Sequence, residues 1–121
     1  MHEDAGKAVL IDLPGLRQRF DDDEELLGEI FEVFIAETPT RRADIEAALA
    51  SADYGRITEL AHSLKGVAGT MFAMPLRQAA YDLEMAARQA DAASVAALAR
   101  VVLLRLEDTC RHVDGLVSDR S

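Results

Sequence analysis

The stretch Ala61-His62-Ser63-Leu64-Lys65-Gly66-Val67-Ala68-Gly69 contains the residue types and spacing most suited to chemistry. A neutral imidazole nitrogen is a competent nucleophile near neutral pH and needs no separate activating base. Successive residues of a helix turn by about 100° around its axis. With His62 as the origin, Lys65 lies about 60° to one side, and Gly66 and Gly69 lie within about 40°. Leu60, Leu64, Val67 and Met71 gather about 140° to 200° away, on the opposite side. If those four face a core, His62 faces solvent. Lys65 then places an ammonium where it can neutralise negative charge added to the ring. Each glycine inside a helix costs about 1 kcal/mol relative to alanine. Two of them beside the histidine clear a path for another protein. An exposed nitrogen nucleophile, a nearby cation and an open approach together point to a phosphoryl acceptor. The plainer alternative is a surface histidine with glycines at a close helix crossing. A crossing needs the glycines to face inward, and the same angles turn them outward.

The elements that must hold this face are helical throughout. Asp12-Leu13-Pro14-Gly15-Leu16 through Phe20 predicts a short helix capped by Asp12, with Pro14 in its first turn. Asp21-Asp22-Asp23-Glu24-Glu25 precedes an amphipathic run with Leu26, Leu27, Ile30, Phe31, Phe34 and Ile35 on one stripe. That acidic cluster lacks the glycine turn and spaced oxygens of a calcium loop, so capping explains it better than a metal. Pro39 marks a kink or a fresh start, and Ile45, Ala48 and Leu49 continue the stripe. Asp53 caps the histidine helix, with Ile57, Leu60, Leu64, Val67 and Met71 inward. Pro75 opens a helix burying Leu76, Ala79, Ala80, Leu83 and Ala87. After a break at residues 90–94, a last helix carries Val95, Leu98, Val102, Leu106 and Val113.

Composition narrows the function. The chain has 121 residues, half of them hydrophobic, and only 5% aromatic, which suits one helical domain. A net charge of −9 disfavours a nucleic-acid partner, which requires clustered cations. The acidic start does not suit a secretory signal, and Arg or Asp breaks every apolar stretch before membrane-spanning length. A soluble, cytoplasmic location is expected. The single cysteine, Cys110, is read as a core or near-core residue, with no disulfide and no zinc cluster.

The histidine stretch resembles the signature of the histidine-phosphotransfer (HPt) family. The likeness rests on Ala61-His62-Ser63-Leu64-Lys65-Gly66 with Ala68 and Gly69. It extends to Phe34-Ile35-Ala36-Glu37-Thr38-Pro39, to Ala48-Leu49 with Asp53, and to Leu83-Glu84-Met85-Ala86-Ala87-Arg88, covering about residues 20–115. The resemblance implies that His62 accepts a phosphoryl group from the aspartate of one receiver domain and donates it to another. It implies that Lys65 stabilises the phosphoryl group and that Gly66 and Gly69 keep the docking surface open. Partners would be response-regulator receiver domains or a hybrid histidine kinase. No cofactor or metal is expected in this chain, because the receiver supplies the magnesium ion. The chain would then be a phosphohistidine carrier more than an autonomous enzyme. Many family members have glycine ten residues after the histidine, where this chain has Phe72. Phe72 either tucks into the end of the helical bundle or extends an apolar docking patch and biases partner choice.

The expected fold is all-α: an up-down antiparallel four-helix bundle at residues 12–118, with a short extra N-terminal helix and a flexible arm at 1–11. Met1 and the acidic arm favour a free-standing protein over a piece of a hybrid kinase. Three rival functions share parts of this pattern. A di-iron bundle fits the Glu59-x-x-His62 spacing, but His112 follows Thr109 where a second glutamate is required. An HPt-like scaffold that carries no phosphate, and a dimerising phosphotransferase, also share these features. Four helices are enough for one closed core, so a monomer is expected.

Overall fold

The computed structural model describes residues 9–120, all of whose regular structure is helical. Five helices follow in order: α1 (Leu13–Arg19), α2 (Glu24–Ala50), α3 (Tyr54–Thr70), α4 (Met74–Arg88) and α5 (Ala92–Arg120). Residues 1–8 of the expected arm lie outside the described part. Ile11, assigned to that arm from sequence, is buried in the core, and the Asp12 amide donates to the Phe72 carbonyl at 3.0 Å.

Local chemistry explains the helix starts. Asp12 accepts from the Gly15 amide at 3.1 Å, Asp23 from Leu26 at 3.0 Å, and Asp53 from Arg56 at 3.0 Å. Asp91 does the same for Ser94, whose hydroxyl and then amide bonds lower the Asp91 pKa. α5 therefore begins at Ala92, inside the stretch read as a break. α2 runs unbroken through Pro39, so the kink-or-restart question resolves as one continuous helix. Thr38 is buried beside the proline and donates to the Phe34 carbonyl at 2.8 Å.

One turn design recurs at all three junctions from α2 to α5. The second residue after each helix takes a left-handed conformation: Ala52 (φ 53°), Phe72 (φ 55°) and Ala90 (φ 53°). At the second junction the Phe72 amide donates to Gly69 and the Ala73 amide to Ala68, a Schellman closure. The residue that completes each closure also starts the next helix, so the connections are as short as the chain permits.

α2 packs against α3 and α5, α3 against α4, and α4 against α5, which closes a ring around one core. The inward stripe of α3 is rotated from the expected one. Ile57, Ala61, Leu64, Ala68 and Met71 are buried, whereas Leu60 and Val67 are half-buried. Ala61 and Ala68 are small, and α4 brings Ala79, Ala80 and Ala87 to the core, so α3 and α4 share the most extensive helix contact. Val67 instead lines an open apolar groove of about 350 Å³ with Leu26, Ile30 and Val33 of α2. Among the described residues, no helix is long and apolar enough to cross a membrane.

Candidate functional site

The rotation of α3 toward α4 leaves His62 pointing outward but places it against α4. Its side chain is 65% exposed, and Nδ1 lies 3.0 Å from Oε2 of Glu84. Glu84 is the unexpected member of the site. It sits one helical turn after Ala80 on the buried side of α4, and only 2% of its surface is exposed. A carboxylate in that position must be paired to remain charged.

Three groups meet it. Arg88, one turn along α4, donates from a guanidinium nitrogen to Oε2 at 2.8 Å. Lys65 of α3 places Nζ 2.9 Å from Oε1 in an ion pair across the two helices. His62 is the third. Arg88 is the largest influence on the carboxyl, and together with Lys65 and His62 it outweighs burial. The Glu84 pKa falls from 4.5 to about 2.

The ionised carboxylate decides the tautomer of the ring. It can only accept, so Nδ1 must donate, and in the neutral form of the ring the lone pair is then on Nε2. Because Nδ1 is the nitrogen held against α4, Nε2 is the nitrogen available to a partner. The site therefore presents an oriented imidazole nitrogen on an open surface, with two cations within one carboxylate's reach. It needs no cavity, and the α2–α3 groove does not include His62.

The other residues singled out from sequence fall in different places. Lys65 is at the site, but it reaches across to α4. Its ammonium lies 5.6 Å from the centre of the Tyr81 ring, and its side chain is only 23% exposed. Gly66 opens on free space, since a Cβ there would meet nothing within 4 Å. Gly69 lies beneath Arg77, whose Nε would be 3.4 Å from such a Cβ. Phe72 is at the far end of α3, half-buried against the core, with its ring facing Gly15 and Arg19 of α1. Glu59 pairs with Arg56 rather than joining His62.

Glu84 and Arg88 are the site residues that periodicity did not single out. A signal was present: a glutamate within the inward series Leu76, Ala80, Leu83 and Ala87 breaks an apolar stripe, which calls for a charged partner.

A family model of the Hpt domain matches residues 29–115. Among solved structures, the fold is similar to the crystal structure of histidine-containing phosphotransfer protein B (HptB) from Pseudomonas aeruginosa PAO1. The TM-score is 0.84 and the identity 21%, over 93% of this chain and 98% of that one. No curated protein sequence matches.

Proposed function

The chain belongs to the Hpt domain family and so has a histidine phosphotransfer role in two-component signalling, and we propose that His62 is the residue that carries the phosphoryl group. The observation that supports this choice is the exposed ring whose Nδ1 is held by Glu84, leaving Nε2 free to attack. In the proposed relay, Nε2 takes the phosphoryl group from the aspartyl phosphate of one receiver domain and passes it to the aspartate of a second. The magnesium ion and most of the catalytic groups belong to the receiver.

Lys65 and Arg88 supply positive charge beside the added phosphoryl group. Gly66 leaves the surface low enough for a receiver to reach the ring. Gly69 belongs to the same surface, with the flexible Arg77 side chain above it. Phe72 would influence partner choice only through the shape of the bundle end, since its ring packs toward α1. The ring of contacts among α2, α3, α4 and α5 supports the reading of an up-down antiparallel four-helix bundle, with α1 as the extra helix.

A radiolabelled phosphorylated receiver domain tests the assignment. Label should pass to the wild-type chain, leave it on acidification, and be absent from a folded His62→Gln variant. Undiminished labelling of that variant would move the site elsewhere. Receiver binding without labelling of the wild type would favour a scaffold that carries no phosphate.

A further inference from the structure

Glu84 presents a full negative charge to the nitrogen of His62 that does not react. Building on the phosphotransfer reading, we infer that Glu84 is a positioning residue that keeps Nδ1 protonated through the transfer cycle, so that the ring leaves phosphorus as neutral imidazole. On acceptance, the Nε2 lone pair forms the N–P bond, and the aspartyl P–O bond breaks with its electron pair passing to the receiver carboxylate. Nδ1 still carries its hydrogen, so the phosphorylated ring is a cation. On donation, a carboxylate oxygen of the second receiver forms the new O–P bond, and the N–P electron pair returns to Nε2. With the Nδ1 proton in place, the departing group is neutral imidazole. Had that proton passed to water, the departing group would be imidazolate, a much stronger base and a poorer leaving group.

The geometry meets what this role requires. The carboxylate is 3.0 Å from Nδ1 and almost wholly buried, where charge–charge interactions are stronger than in water. The groups that meet Glu84 are His62 and Lys65 from α3 and Arg88 from α4. Tyr81 of α4 contacts Lys65 through its ring. α5 also packs against α4, but it brings no cationic group into ion-pair range of Glu84 among the described residues. Lys65 and Arg88 keep the carboxylate ionised and moderate its pull on the ring. The same proton that favours onward transfer also favours loss of the phosphoryl group to water, so Glu84 should shorten the lifetime of the phosphorylated protein.

The test uses the whole 121-residue chain. Nitrogen-15 NMR of the unphosphorylated wild type at pH 8 should show His62 protonated on Nδ1 and bare on Nε2. Phosphorylation with phosphoramidate then allows phosphorus-31 NMR to follow hydrolysis against pH. Glu84→Gln keeps a carbonyl acceptor for Nδ1–H and removes only the charge. Its hydrolysis profile should move about one unit or more toward acid, with a lifetime at pH 7 about tenfold longer. Transfer from it to a receiver should be slower and should recover as pH is lowered. Arg88→Ala removes a competing cation and should move the profile the other way, which keeps the test open if Glu84→Gln does not fold. An Nε2–H tautomer in the wild type, or unshifted profiles in folded variants, overturns this inference alone. Failure of His62 to take phosphate from both phosphoramidate and a phosphorylated receiver overturns the phosphotransfer reading, and this inference with it.

Discussion

Replacing Lys65 with alanine removes one of three groups that stabilise a buried carboxylate, and its cost follows from that. An exposed helical lysine rarely contributes more than about 0.5 kcal/mol. Lys65 is mostly covered and paired to Glu84, so Lys65→Ala should lose about 1–2 kcal/mol in urea unfolding as well as slowing transfer. A loss confined to transfer would show that Arg88 and His62 suffice for the carboxylate. Glu84 also gives stability a pH dependence. Folding lowers its pKa from 4.5 to about 2, so its contribution is present above about pH 4.5 and is lost as pH falls toward 2. Between pH 6 and pH 3, Glu84→Gln should lose on the order of 2 kcal/mol less stability than the wild type. Equal losses in the two proteins would assign the acid sensitivity to other carboxylates. The outward histidine and the open surface at Gly66 were legible in the sequence because about 100° per residue is enough to place them, whereas the Arg77 side chain over Gly69 comes from α4 and was not. The pairing with Glu84 was not, because it depends on how far α3 turns toward α4. That turn is set by Ala61 and Ala68, whose small side chains give periodicity a weak signal.

Helices and their turns carry a separate set of expectations. The starts of α1 and α3 could be read from Asp12 and Asp53, and that of α2 from the acidic run 21–25, of which Asp23 is the cap, since a side-chain oxygen before an apolar run has one obvious use. The turns were harder to read because glycine, the usual sign of a left-handed closure, is absent from all three junctions between α2 and α5. Ala52 and Ala90 adopt that conformation at a steric cost that glycine avoids. Ala90→Gly should therefore raise stability by about 0.5–1 kcal/mol in chemical unfolding, after the greater freedom of glycine in the unfolded chain is offset. Phe72→Gly relieves the same conformation but removes a ring packed between the core and α1, so its net effect should be destabilising. A gain in both variants would mean that the Phe72 ring contributes little packing. On α3 the sign reverses for Gly66, where an added methyl meets open space. Gly66→Ala should stabilise the helix by up to about 1 kcal/mol and slow transfer from a receiver. That opposite movement is what separates a docking requirement from a folding one.

At the scale of the whole molecule, the ring of contacts from α2 through α3, α4 and α5 back to α2 gathers the buried side chains into one cluster. Each of these four helices contributes several fully buried residues, and α1 adds Leu16 against the same interior. A chain that closes its own core has no need of a second copy to complete it, unlike a phosphotransferase whose bundle is shared between subunits. The exposed apolar residues of α5, Val101 and Leu104, are too few to form a large apolar face. Leu104 also lies beside the charged side chains of Arg100 and Glu107. The net charge of −9 adds repulsion between like molecules at low ionic strength. Light scattering coupled to size exclusion should therefore return the monomer mass of 13.2 kDa across a hundredfold range of concentration, in low and high salt alike. A concentration-dependent rise toward twice that mass would indicate that α5 or the α2–α3 groove pairs two copies. Point charges at Leu104 and Val33 would then identify which surface is used, since both side chains are more than half exposed and tolerate substitution without disturbing the core.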